Sequence, residues 1–433
     1  MTKYVIIGNS AGGIGTAEAI RQVDKDGEVV IVSDEPYHAY SRPMISKYVA
    51  GETNLAHMLY RSPSFYDDKH LTLLAGNAAT RLDVAEKKIE LANGEQLTYD
   101  RLLLATGGTP FVPRMEGLDR DGVYTFTTLA DAERLAQRVG EARRAVVIGG
   151  GLIGVSVTEA LVKRKLAVTI IELKDHLLNM VLDEQGSLLA EDAVREAGVE
   201  ILTGCTISSV AGHPQQGGAV ASVLLDNGRE VPCDLLVVAI GVVPRVELAR
   251  QAGLTVNRGI VVDDRMTTSA PDVYACGDAA EAYDFAIRAS RPTPVWPNAY
   301  LGGRIAGLNM AGRSATYPGG TACNSLNYFG LSLVSAGLLM PPPNDGYQVR
   351  TRLEPEGNTY RKIVMKDGRL VGLIYVGDID RAGIAFGLMR EDADVTEMAE
   401  KLLADDFGLI SLPHKLRKAR LEGRLNGAYA KPQ

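Results

Sequence analysis

The sequence predicts an α/β protein built on two Rossmann-like dinucleotide-binding units, followed by an α+β C-terminal domain. Three observations carry this. Two glycine-rich turns, GNSAGG from Gly8 and GGGLIG from Gly149, each lie between a β-branched run and a helical pattern. Each unit later yields a second apolar strand ending in a related turn, ATGG from Ala105 and AIGVVPR from Ala239, so the duplication extends beyond the glycines. The last third contains two strand-like runs joined by Asp367-Gly368, a hairpin signal.

A chain of 433 residues is too long for one core and divides into two or three domains able to enclose a large cofactor. Its 46% hydrophobic and 23% charged residues are those of an ordinary globular protein. A formal net charge of -7 argues against nonspecific binding to nucleic-acid phosphates. No apolar run approaches the roughly 20 residues of a membrane span, and MTKYVIIGNS leads into a strand without a leader, so a cytoplasmic protein with no membrane partner is expected. The cysteines Cys205, Cys233, Cys276 and Cys323 form no CxxC spacing and the histidines no ligand motif. Neither a disulfide framework nor a metal site is expected.

In the first unit, KYVIIGNSAGGIGTAEAIRQ, Gly8 permits the sharp turn and Gly13 allows close helix–strand packing. Ser10 takes the middle glycine position. Ala11 and Gly12 open the helix, whose backbone N–H groups suit a pyrophosphate. The next strand runs to Ser33, and either Asp34 or Glu35 reaches a ribose. In the second unit, Gly149, Gly151, Leu152, Ile153 and Gly154 fall in the full GxGxxG frame. Glu172 ends its next strand, placed to accept both ribose hydroxyls and to repel a 2′-phosphate, which favours NAD over NADP.

Later, APDVYACGDAAE delivers Gly277 and Asp278 to a turn where a carboxylate can accept from a ribityl hydroxyl. The ordered set GNSAGG, ATGG, GGGLIG, AIGVVPR and ACGD resembles the two-dinucleotide-binding flavoproteins, the pyridine nucleotide–disulfide oxidoreductases in the broad sense, over nearly the whole chain. The resemblance implies that the first turn holds FAD and the second NAD. Ala79, Ala105, Thr106, Gly107, Gly277 and Asp278 complete the FAD set, and Gly241 lies at the return to it. It further implies an FAD-binding domain at 1–115 and 240–315, an inserted NAD-binding domain at 116–239, and an interface domain at 316–433 that often supports a homodimer. A helical pattern is expected from Asp394 to Asp405.

Disulfide-reducing relatives carry a reactive cysteine near the stretch AYSRPMIS, where this chain has Ser41. Serine is not a redox centre, so reduction of a disulfide through its own thiols is not expected. YSRPMIS instead resembles the flavin domains of NADH-dependent nitrite reductases and rubredoxin reductases. Arg42 suits a phosphate or flavin contact and Lys47 flavin polarity, with an ordinary surface cation as the alternative for either. Ser156 stands where relatives commonly carry a glutamate near the nicotinamide, and Glu159 reads as a general helix residue. In PVWPNAYLGG, Pro297, Asn298 and Ala299 are expected near the flavin, while Trp296 either shapes the mouth of the site or packs.

The resemblance implies an FAD-dependent NAD(H):acceptor oxidoreductase that exchanges hydride with NAD(H) and single electrons with an iron–sulfur partner. The branch suggested is the flavoprotein subunit of 2-oxoacid:NAD oxidoreductases such as phenylglyoxylate dehydrogenase. No side-chain acid or base is required for hydride transfer, so no catalytic residue is assigned. The alternatives are a rubredoxin or ferredoxin reductase, a free-standing NADH oxidase, or a flavin-bearing scaffold or redox sensor. HKLRKARLEGR, from His414 to Arg424, is either a docking patch for an acidic partner or a solvated helix.

Overall fold

Runs such as Val5-Ile6-Ile7 and Leu102-Leu103-Leu104 are apolar on both faces and are stable only in a sheet covered on both sides. The computed structural model, which describes residues 1–213 and 218–421, places them in a five-stranded parallel sheet. Its order is Val273–Ala275, Arg101–Leu104, Lys3–Ile7, Glu28–Val32, Leu71–Leu74. A second five-stranded parallel sheet runs Glu200–Thr203, Ala167–Glu172, Arg144–Ile148, Leu235–Val238, Val123–Thr125.

The duplication is visible in the pairing. In each sheet the strand feeding the glycine turn lies between the strand that ends near an acid and the strand that ends in an Ala-Thr-Gly or Ala-Ile-Gly turn. All three chemical elements therefore emerge side by side at the carboxyl end of a sheet, the usual place for a ligand crevice. The two chain crossings between the sheets pair with each other, Gly108–Pro110 against Val242–Pro244.

Residues from Cys323 onward form a five-stranded antiparallel sheet covered by the helix Ala382–Arg390. Asp367 and Gly368, with φ of 50° and 74°, make the expected hairpin turn. The helix expected over 394–405 is absent; two 3-10 turns, Thr396–Met398 and Lys401–Leu403, stand there. The N–H groups of Met398, Leu403 and Ala404 donate three residues back, to the Val395, Glu400 and Lys401 carbonyls at 3.0, 3.2 and 3.1 Å, and long-range bonds tie the segment to the sheet at both ends. Tyr375 Oη donates to the Leu402 carbonyl at 2.6 Å and Arg361 Nη1 to that of Leu403 at 2.9 Å, while Val395 N donates to Gly368 O at 2.8 Å.

One apolar core crosses from the second parallel sheet to the antiparallel sheet. It joins Val147, Ile170 and Leu235 of the second sheet to Ile45 and Val49 of the short helix Ile45–Ala50, and to Leu333, Tyr360 and Ile374 of the antiparallel sheet. No helix among the described residues is long and apolar enough to cross a membrane.

Candidate dinucleotide-binding cleft

The carboxyl ends of both parallel sheets open onto one continuous cleft of about 1430 Å³. Single-ligand pockets run to about 1,000 Å³, so this one exceeds the size of one small-molecule site. Its first wall is the turn at Gly8, where φ is 120° and a Cβ would lie 2.1 Å from the Ala105 carbonyl oxygen. Glycine there lets Ala105, Thr106 and Gly107 close against the turn. Gly8, Ser10, Ala11 and Gly12 face the cleft, and Ser10 N-caps the helix Ala11–Val23 without using its side chain.

The turn is held from outside. Asn9 Nδ2 donates to Tyr37 O at 3.2 Å, and Tyr66 Oη donates to Asn9 Oδ1 at 2.8 Å. Behind it, Thr16 Oγ1 donates to Gly303 O at 2.8 Å, so the helix Trp296–Met310 packs backbone to backbone on the first helix and brings Ala299 to the cleft. Gly277 and Asp278 arrive from the strand Val273–Ala275. The Asp278 carboxylate forms no hydrogen bond or ion pair among the described residues, and burial holds its pKa above the usual carboxylate value, against the opposing charge of Arg42. Such an acceptor lacks a hydroxyl donor, and a polyhydroxy chain supplies one.

The second wall repeats the device. Gly149 has φ of 100°, and a Cβ on it would sit 2.4 Å from the Ala239 carbonyl oxygen. Gly151 caps the helix Leu152–Lys163 with nothing within 4 Å of its missing Cβ, leaving the first-turn N–H groups open. Gly149, Gly151, Leu152, Ile153, Glu172 and Gly241 line the cleft. Glu172 is buried, accepting from Gly150 N at 2.6 Å and Lys174 N at 2.8 Å, which fixes its carboxylate at the end of its strand.

Between the walls the two strand-end acids have different partners. Asp34 accepts from Arg245 Nη1 at 2.7 Å. Glu35 accepts from Tyr40 Oη at 2.6 Å and pairs with Arg42, whose Nη1 donates to Thr127 O at 3.1 Å. Both acids, Arg42 and Lys47 face the cleft, and Lys47 has no ion-pair partner among the described residues.

Five expected residues lie elsewhere. Gly13 and Gly154 sit behind the turns, where a Cβ would strike Gly8 O at 1.9 Å and Gly149 O at 1.8 Å, so their role is packing. Ala79 opens a strand of a small antiparallel sheet, paired with Leu91, and does not line the cleft. Pro297 starts its helix without facing the cleft, and Asn298 turns away to donate to Thr321 O at 3.0 Å. Trp296 both lines the cleft and packs edge-on against Tyr60, ring centroids 4.9 Å apart.

Glu159 is not a free substitute for the missing glutamate: it accepts from Phe329 N at 3.2 Å and pairs with Lys163 at 3.6 Å. Arg245, Thr127, Lys163 and Tyr328 line the cleft without having been assigned from sequence. Among the described basic residues near the C-terminal end, Arg420 is neutralised by Glu391 at 3.0 Å and Arg417 donates to Ile410 O at 3.2 Å; Arg424 lies outside the described residues.

Ser41 is fixed by its backbone, N to Met58 O at 2.8 Å. Of the four cysteines, all free, only Cys276 borders the cleft, and burial pushes its thiol up to about 12. It is a poor thiolate source. No cluster of metal-ligating side chains occurs among the described residues.

Two glycine turns that open helices onto one cleft, with a carboxylate beside the first that is unpartnered among the described residues, define a two-dinucleotide flavoprotein, and the residues present fit FAD and NAD(H). The chain belongs to the pyridine nucleotide-disulphide oxidoreductase family, whose model matches residues 2–300; a rubredoxin NAD+ reductase C-terminal domain matches residues 323–392. It is 32% identical over 411 residues to the NADH-dependent phenylglyoxylate dehydrogenase subunit epsilon of Aromatoleum evansii, covering 94% of this chain and 96% of that one. It is 31% identical over 382 residues to a probable ferredoxin reductase of Castellaniella defragrans, covering 86% and 89%. The covalent putidaredoxin reductase–putidaredoxin complex superposes with a TM-score of 0.85 at 27% identity, covering 97% of this chain and 99% of that one. The protein is an FAD- and NAD(H)-binding oxidoreductase.

Proposed function

We propose that this chain is the flavoprotein electron-transfer component of a larger NAD(H)-linked oxidoreductase, exchanging electrons with an iron–sulfur partner, and that it works in the cytoplasm. The observation that carries the reading is a dinucleotide cleft bordered, among the described residues, by one cysteine that is a poor thiolate source: Ser41 stands in the cysteine position, and burial pushes the Cys276 thiol up to about 12. Bound FAD takes electrons from NADH as a pair and can release them singly. The names of the relatives, a dehydrogenase subunit and a ferredoxin reductase, support an iron–sulfur acceptor or donor.

In this assignment Gly8, Ser10, Ala11, Gly12, Ala105, Thr106, Gly107, Gly277 and Asp278 hold FAD, with the domain formed by 1–115 and 240–315. Gly149, Gly151, Leu152, Ile153 and Glu172 hold NAD(H) within 116–239, and 316–433 is the interface domain. Glu35 is engaged by Tyr40 and Arg42, whereas the Asp34–Arg245 pair is more exposed, its side chains 49% and 40% accessible. Asp34 is therefore the acid freer to turn to the FAD ribose. Arg42 brings positive charge to the wall between the turns, and no side chain has to move a proton.

The test is turnover of the FAD-loaded protein with NADH and a choice of acceptors. Reduction of a ferredoxin or rubredoxin much faster than of oxygen supports the proposal. Oxygen as the fastest acceptor, or a low-molecular-weight disulfide turned over at a comparable rate, overturns it.

A further inference from the structure

The helix Leu152–Lys163 turns one face to the cleft, through Leu152, Ile153, Ser156, Glu159, Ala160 and Lys163. Its N-terminal turn is where a pyrophosphate meets backbone N–H groups, so its orientation directs those donors. That turn is gripped by a residue from the C-terminal sheet. Tyr328 Oη donates to the Leu152 carbonyl at 3.1 Å. One turn further along the helix, Glu159 accepts from Phe329 N at 3.2 Å.

The grip is preset by a tight hairpin. Cys323–Tyr328 and Leu331–Gly337 are joined by Phe329 and Gly330, both at positive φ, 50° and 82°, which holds Tyr328 at the tip. Tyr328 also lines the cleft beside Ser325 and Asn327. A second anchor prevents the sheet from sliding: Asp183, which N-caps the helix Glu184–Glu196, accepts from Tyr360 Oη and Lys362 Nζ, each at 2.7 Å.

We infer that Tyr328 is a positioning residue of the NAD(H) half-site, supplied by the C-terminal domain and acting through the Leu152 carbonyl, with Phe329 N holding Glu159 of the same helix. The inference rests on the second turn being the NAD(H) site, as proposed above.

The test is Tyr328→Phe in the FAD-loaded protein, which keeps the ring and removes the hydroxyl. Loss of one partly buried hydrogen bond predicts NAD+ binding weaker by roughly three- to tenfold in calorimetry. KM for NADH rises by the same factor, while kcat with an artificial acceptor and flavin content stay within about twofold, scaled to that same single bond. Glu159→Ala removes the second contact of the hairpin tip with this helix, the one from Phe329 N, and keeps the test valid if Tyr328→Phe folds poorly. NAD+ affinity unchanged in both single variants overturns the inference. Wild-type flavin that NADH fails to reduce would instead overturn the proposed function, so the two failures are distinguishable.

Discussion

Alanine at the two turn glycines separates the two nucleotide sites. In Gly149→Ala the new Cβ lies 2.4 Å from the Ala239 carbonyl oxygen at φ of 100°. The backbone conformation alone costs on the order of 1–3 kcal/mol. The clash must also be relieved by moving a segment whose N–H is tied to Ile148 O at 2.8 Å. A total near 3 kcal/mol corresponds to about 100-fold weaker NAD(H) binding. Gly8→Ala meets the Ala105 carbonyl oxygen at 2.1 Å with φ of 120° and imposes at least the same penalty on FAD. The assay is flavin absorbance per chain after purification, then anaerobic mixing with NADH. Gly149→Ala should purify yellow and respond to NADH only at much higher concentrations, whereas Gly8→Ala should purify largely colourless. Gly107→Ala, with positive φ but open space around the Cβ, should cost only about 1 kcal/mol. A colourless Gly149→Ala beside a yellow Gly8→Ala would refute the assignment of the turns.

Other substitutions test single residues. Asp278→Ala removes a carboxylate that burial destabilises, so the FAD-free protein should melt higher while FAD affinity falls about tenfold, read by thermal melts and flavin titration. Glu172→Gln keeps the shape but removes the charge, so the preference for NADH over NADPH in kcat/KM should narrow by about tenfold or more. Burial alone would raise the pKa of Asp183, but its bonds to Lys362, Tyr360 and Gly186 N outweigh this and hold it low. Asp183→Asn should therefore destabilise the fold by roughly 3 kcal/mol near neutral pH in denaturant titrations. Because the folded pKa lies below the unfolded value of about 3.9, the difference between wild type and variant should shrink as pH falls below that value.

The glycine turns were legible because each needs a backbone conformation or an approach that only glycine permits, and the pairing of Lys3–Ile7 and Arg144–Ile148 with their neighbours follows from the same duplication. Asp367-Gly368 was legible for the same local reason. What escaped the sequence was set by distant packing. Tyr328 reaches Leu152 across 176 positions, and Arg245 reaches Asp34 across 211, with no local pattern announcing either. Asn298 looked like a site residue from its neighbourhood, but the Thr321 carbonyl claims its amide. The pattern at 394–405 has helical spacing, yet Tyr375, Arg361 and Gly368 tie the segment to the sheet at both ends, and its turns close three residues back rather than four.

The most direct test of the central claim, direct passage of electrons from NADH to flavin with no sulfur relay, is an anaerobic titration of the FAD-loaded protein with NADH. The account predicts that one equivalent of NADH per flavin bleaches the yellow absorbance completely and that prior alkylation of accessible thiols leaves the titration unchanged. A second equivalent consumed before full bleaching, abolished by alkylation, would contradict it.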